Sequence, residues 1–85
     1  MAARTVSFTP AAAKTLVRLP ADVAKVIRLK IGQLAADPGA LANNVTALKG
    51  SRFSRLRVGD YRVIFTSDLV VVTIIKIGHR KDVYE

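Results

Sequence analysis

Apolar positions along this chain keep a helical period in the first half and an alternating one in the second. Thr5 to Phe8 alternates polar and apolar residues, the pattern of a short strand. Thr9-Pro10 then reads as a helix start, with Thr9 as N-cap and Pro10 at the first helical position, where a missing N–H costs nothing. Ala12, Leu16 and Leu19 fall on one face of that helix. Pro20 interrupts it and opens a second helix, whose apolar stripe is Val23, Ile27, Ile31 and Leu34. Lys25 and Arg28 lie off the stripe and Lys30 near its edge. Asp37-Pro38-Gly39 stops the helix, and the two helices are expected to form a hairpin.

Leu41 to Leu48 fits neither period, and Asn43-Asn44 favours a loop or short turn there. From Phe53 the period becomes two. Phe53 to Val58, Tyr61 to Thr66 and Leu69 to Ile77 read as three strands, joined by turns at Gly59-Asp60 and Ser67-Asp68. Connections this short dictate antiparallel pairing. The third strand, rich in Val and Ile, reads as buried on both faces and central. The predicted fold is α+β: an N-terminal strand, a two-helix hairpin, then a three-stranded antiparallel meander (β-α-α-β-β-β), with the helices on one face of the sheet. At 85 residues, with no linker or repeat, residues 1–85 are expected to be a single domain.

Charge changes this picture. Lys and Arg number 14 against 6 Asp and Glu, a formal net charge of +8. A field of that sign on a small body attracts polyanions and supplies affinity independent of sequence. RNA, DNA, an anionic membrane or an acidic protein all qualify, and a merely soluble basic protein is the plainer reading. There is no Cys, which excludes disulfides, thiolate zinc sites and cysteine catalysis, and fits a reducing cytoplasm. Neither the residues up to Phe8 nor the run from Leu69 to Ile75 is long and apolar enough for a signal peptide or a membrane span, so a soluble, cytoplasmic protein without membrane contact is expected.

Lys49, Arg52, Arg55, Arg57 and Arg62 bring five cations into fourteen residues, opposed by Asp60. Arg55 and Arg57 leave the same face of one strand, while Leu56 and Val58 point the other way. A guanidinium offers phosphate two parallel donors and stays charged, so the cluster is a candidate phosphate site; a solvated strand face is the alternative. A second group, His79, Arg80, Lys81 and Tyr84, follows the last strand. His79 can shuttle a proton near neutral pH, Arg80 can bind a phosphate or stabilise a leaving group, and Tyr84 can stack on a base or accept a proton. A structural His and a packed tail aromatic are the competing readings.

The acids Asp60, Asp68, Asp82 and Glu85 are scattered and offer no paired carboxylates for two-metal catalysis. No nucleophile elbow or phosphate loop is present. Chemistry here must run on cations, one imidazole and a phenol, with no metal and no cofactor. RNA backbone cleavage can do so, because the 2′-OH attacks its own adjacent phosphate and needs only a base, an acid and positive charge around the transition state. DNA lacks that hydroxyl.

The run Leu48-Lys49-Gly50, then Arg55-Leu56-Arg57-Val58-Gly59-Asp60-Tyr61-Arg62-Val63-Ile64-Phe65, resembles the central signature of the RelE/ParE toxin superfamily. The tail Ile77-Gly78-His79-Arg80-Lys81-Asp82-Val83-Tyr84 resembles its C-terminal signature, and the resemblance covers essentially the whole chain. It implies a type II toxin whose RelE-like branch cleaves mRNA in the ribosomal A site without a metal, inhibiting translation. It also implies a cognate RelB-like antitoxin in a hetero-oligomeric complex. By position, Arg55 and Arg57 match the family's basic strand residues that contact the RNA backbone; Lys49, Arg52 and Lys81 are further candidate RNA-binding residues. Arg62 matches the arginine that stabilises the transition state, Arg80 the proposed general acid, and Tyr84 the proposed base and stacking group. His79 sits where members vary. Phe53 stands where some members carry a lysine, Tyr84 is closer to Arg80 than is usual, and no C-terminal helix is expected. ParE relatives share the fold and inhibit DNA gyrase by binding it, which makes a gyrase inhibitor the first alternative. An RNA- or ribosome-binding module without cleavage is the second.

Overall fold

The computed structural model describes residues 3–83, with their side chains through 82. Tyr84 lies outside the described residues. The element order is β1 (Thr5–Phe8), α1 (Pro10–Arg18), α2 (Ala21–Ala36), a 3-10 segment (Pro38–Asn44), β2 (Val45–Ala47), β3 (Ser54–Val58), β4 (Tyr61–Ser67), β5 (Val71–His79) and α3 (Arg80–Val83). One five-stranded sheet has the order β1-β5-β4-β3-β2. Strands β2 to β5 form an antiparallel meander, and β1 closes the far edge by pairing parallel to β5. The α+β fold with a helical hairpin on one sheet face is as the sequence pattern predicts.

Thr9 fixes the first helix from both sides. Its hydroxyl oxygen accepts the N–H of Ala12 at 3.1 Å and donates to the carbonyl of Ile75 at 2.8 Å, so the cap also pins α1 to β5. The helix ends before Pro20, and α2 lays Ala24, Ile27, Ile31 and Leu34 against the sheet. Leu56, Val63, Phe65, Val72, Ile74 and Ile77 meet them from the strands in one core cluster. Four of these, Leu56, Val63, Val72 and Ile74, are with Ile27 the largest side chains fully removed from water. Each stabilises the fold by roughly 1.5–3 kcal/mol.

Four expectations need correcting. The ambiguous segment ends in a fifth strand, β2, only three residues long, whose Val45 pairs with Leu56. Leu69 and Val70 do not belong to the last strand; they are 88% and 66% exposed in the turn before it. The last strand is interior, flanked by β1 and β4, but it is not buried on both faces. Ile64 pairs with Lys76 and Phe65 with Ile74, which leaves Ile75 as a bulge. The extra residue resets the alternation, so Ile74 and Ile77 both face the helices while Lys76 is exposed. A bulge inside a Val/Ile run gives the false impression of a two-sided core strand. The expectation of no C-terminal helix is corrected as well: the chain after β5 turns into a single helical turn, α3.

Candidate RNA-binding cleft

Alternation places the arginines. Leu56 and Val58 fill the core side of β3, so Arg55 and Arg57 emerge on the face away from the helices. The two-residue turn Gly59-Asp60 fixes the register of β4, in which Val58 pairs with Tyr61 and Arg57 with Arg62. Gly59 holds φ at +56°, a conformation open to glycine and strained for other residues. Arg62 therefore lands on the same face as Arg57, and its other neighbour across the ladder is Gly78, which has no side chain to cover it.

Arg62 is the buried member, 9% exposed. Its Nη1 donates to the carbonyls of Gly59 and Tyr61, both at 2.9 Å. One nitrogen thus anchors the group to the turn, and the rest of the guanidinium keeps its direction. Arg55, Arg57 and Arg62 line a cleft of about 160 Å³ together with Asn43, Asn44 and Thr46. Among the described residues no Asp or Glu lines it. Thr46 stands opposite Arg55 on β2, and Lys76 continues the row through Ile64, adding a fourth cation to this face.

The second predicted group lies elsewhere. Arg80 begins α3; its N–H donates to the Asp60 carbonyl at 2.7 Å and its Nε lies 3.9 Å from Asp60 Oδ1. Both side chains are more than half exposed, so the ion pair contributes little to stability. Arg80 does not line the arginine cleft, although Arg62 and Arg80 grip neighbouring residues of the same turn. His79 pairs with Tyr61 on the opposite, helix-side row. Its ring meets the Tyr61 ring edge-on at 5.5 Å, and Nδ1 accepts the Lys81 N–H at 3.2 Å, which leaves Nε2 to carry the proton of the neutral ring. Lys49 and Lys81 are exposed. Arg52 is exposed in the β2–β3 turn, its guanidinium 6.0 Å from the centre of the Phe53 ring. Among the described residues no three of His, Asp and Glu gather as metal ligands.

The profile of the ParE toxin of the parDE type II toxin–antitoxin system matches residues 6–84. The chain belongs to this toxin family. The toxin also resembles solved RelE-type structures over nearly its whole length. Against a chain of the toxin–antitoxin complex RelBE2 from Mycobacterium tuberculosis it is 26% identical, with a TM-score of 0.76, covering 93% of this chain and 100% of that one. Against a chain of the archaeal RelE–RelB complex from Pyrococcus horikoshii the identity is 25% and the TM-score 0.80, covering 95% and 99%. The YoeB dimer from Staphylococcus aureus, 19% identical with a TM-score of 0.74 over 92% of this chain and 98% of that one, shares the fold. No curated protein matches the toxin's sequence significantly.

Sequence reasoning missed Asn43, Asn44 and Thr46 as parts of this toxin's cleft, and Lys76 as a further cation on the same sheet face. The two asparagines carry no charge and read as turn punctuation. Lys76 had a usable signal, as a single charge inside an apolar run.

Proposed function

We propose that the toxin is a metal-independent endoribonuclease that cuts mRNA on the ribosome and halts translation. The observation that carries this reading is the convergence of Arg55, Arg57 and Arg62 in one cleft that no carboxylate lines among the described residues. Three guanidiniums in one cleft suit an RNA backbone and a reaction in which negative charge builds on phosphoryl oxygens. The RNA 2′-oxygen attacks phosphorus, the bond to the 5′-oxygen breaks, and a cyclic phosphate and a free 5′-hydroxyl result. Arg62, anchored to its turn, is the stabiliser of the transition state, with Arg55 and Arg57 gripping flanking backbone. The attacking hydroxyl loses a proton and the leaving oxygen gains one. Tyr84 and Arg80 are the proposed base and acid, and both must approach the cleft from the tail; His79, in β5 on the helix-side row, can carry a proton only at the rim. Lys49, Arg52 and Lys81 extend the contact with RNA.

The partner is an acidic antitoxin, and the two form a hetero-oligomer in the cytoplasm. The surface that suits it is a groove of about 380 Å³ lined by Val6, Phe8, Leu16, Val17 and Ile31 with Arg28 at its side. Exposed Val17 and Leu29 favour apolar contact, and a net charge of +8 favours an acidic segment.

A gyrase inhibitor is the second reading, favoured by the family itself being that of the ParE toxin. Two parallel assays separate them. Nuclease activity predicts loss of protein synthesis in a translation extract with broken transcripts, and unimpaired supercoiling by gyrase. Arg62→Ala should then slow cleavage by about 100-fold, as loss of one electrostatic stabiliser does. Intact transcripts together with blocked supercoiling would replace this reading by the other.

A further inference from the structure

The cleft holds more than a phosphate needs. Three arginines suffice to bind an anion, yet one wall consists of Asn43, Asn44 and Thr46, which are neutral. The segment carrying them is fixed at both ends. Leu41 is buried in the core, and Val45 pairs with Leu56 while its N–H donates to the Ala42 carbonyl. Asn43 and Asn44 are exposed on this anchored lip, and neither carboxamide makes a hydrogen bond among the described residues. A carboxamide sets an N–H donor beside a carbonyl acceptor, the arrangement that pairs with the edge of a nucleobase. The cleft volume, about 160 Å³, is below the roughly 300 Å³ at which pockets enclose whole small ligands. It suits a phosphate and one base edge of a strand that lies across the surface.

We infer that Asn43, Asn44 and Thr46 read the base of the nucleotide whose phosphate the arginines hold, and so set the toxin's sequence preference on single-stranded RNA. This rests on the RNA reading of the cleft. Proteins recognise unpaired RNA in this way: cations take the backbone without regard to sequence, and neutral donor–acceptor groups discriminate the splayed base.

The experiment is fluorescence anisotropy with labelled homo-oligonucleotides of A, C, G and U, 2′-O-methylated so that they cannot be cut. The wild-type toxin should bind one base at least about fivefold tighter than the weakest, the scale of a carboxamide–base contact. The double variant Asn43→Ala/Asn44→Ala should flatten that ratio to about twofold while keeping the salt dependence that phosphate contacts impose. Thr46→Val, nearly isosteric, should reduce the ratio on its own and guards against a misfolded double variant. A wild type that binds all four alike, or variants that keep the full ratio, would overturn the inference. Failure of the nuclease reading is a separate result, seen as an uncut unmodified transcript with wild-type toxin. The binding ratios are read independently of it.

Discussion

Arg57 and Arg62 stand directly opposite each other across the β3–β4 ladder, two like charges at a pairing where opposite charges or apolar residues stabilise a sheet. With Arg55 two residues along on the same face, the arrangement works against folding and is consistent with a site kept for an anion. Replacing Arg57 with Thr should stabilise the protein by about 0.2–1 kcal/mol, a Tm rise of roughly 1–8 °C. The same variant should bind RNA more weakly. Thermal melts and RNA titrations of the pair of proteins check this; a destabilised Arg57→Thr would show that the two charges do not strain the ladder.

Gly59 serves the site through its backbone. Its φ of +56° would cost another residue about 1–2 kcal/mol, and its carbonyl holds Arg62 Nη1. Gly59→Ala should therefore lower stability by that amount and reduce cleavage further than the stability loss explains, because Arg62 loses its direction. Activity measured well below the melting temperature separates the two effects: a variant that is only less stable should retain full rate there.

The legible parts of this fold are those set by local chemistry. Thr9-Pro10 gave the start of α1, Pro20 the break between helices, and Gly59-Asp60 the hairpin. The shared face of Arg55 and Arg57 follows from a period of two. Pairings between distant segments were not legible. Nothing in Thr5–Phe8 says that it will run parallel to β5, and β2 exists because β3 offers an edge to three residues of weak preference. The bulge at Ile75 hid the alternation of β5, and with it the outward turn of Lys76. Arg62 was recognisable as a residue type, but its place opposite Arg57 required the register. Asn43 and Asn44 carried a turn signal that masked their position on the cleft wall.

Asp68 closes the turn before β5. Its carboxylate accepts the N–H groups of Val70 and Val71, each at 2.7 Å, and these bonds lower its pKa below the ordinary 3.8, with the Arg4 charge assisting. A depressed carboxylate pKa contributes stability that is complete above the ordinary value and is lost as pH falls through the folded value. Asp68→Asn should thus melt below wild type at about pH 6, and the gap should close as the pH falls through the lowered pKa of Asp68. Melting curves across that range test it; a gap unchanged in acid would mean that charge plays no part in the turn.

On the helix side, Val17 is exposed at the apolar groove. Val17→Asp adds a negative charge where an acidic, apolar segment is expected to dock. It should weaken capture of the antitoxin at least about tenfold, as one unpaired charge at an interface does, and leave RNA cleavage by the free toxin unchanged. Affinity and cleavage measured on the same preparation decide it.

The central claim is that an arginine cleft on the solvent face of the sheet holds the phosphate attacked by a neighbouring 2′-OH. It is tested most directly by the ends of the RNA the toxin cuts. Transcripts recovered from a translating extract with wild-type toxin should carry 2′,3′-cyclic phosphate or 3′-phosphate ends beside 5′-hydroxyls, with Arg62→Ala leaving almost none and a single 2′-deoxy substitution at the cut position blocking cleavage there. Cleavage that persists at the deoxy position, or that Arg62→Ala performs at the wild-type rate, would contradict the account.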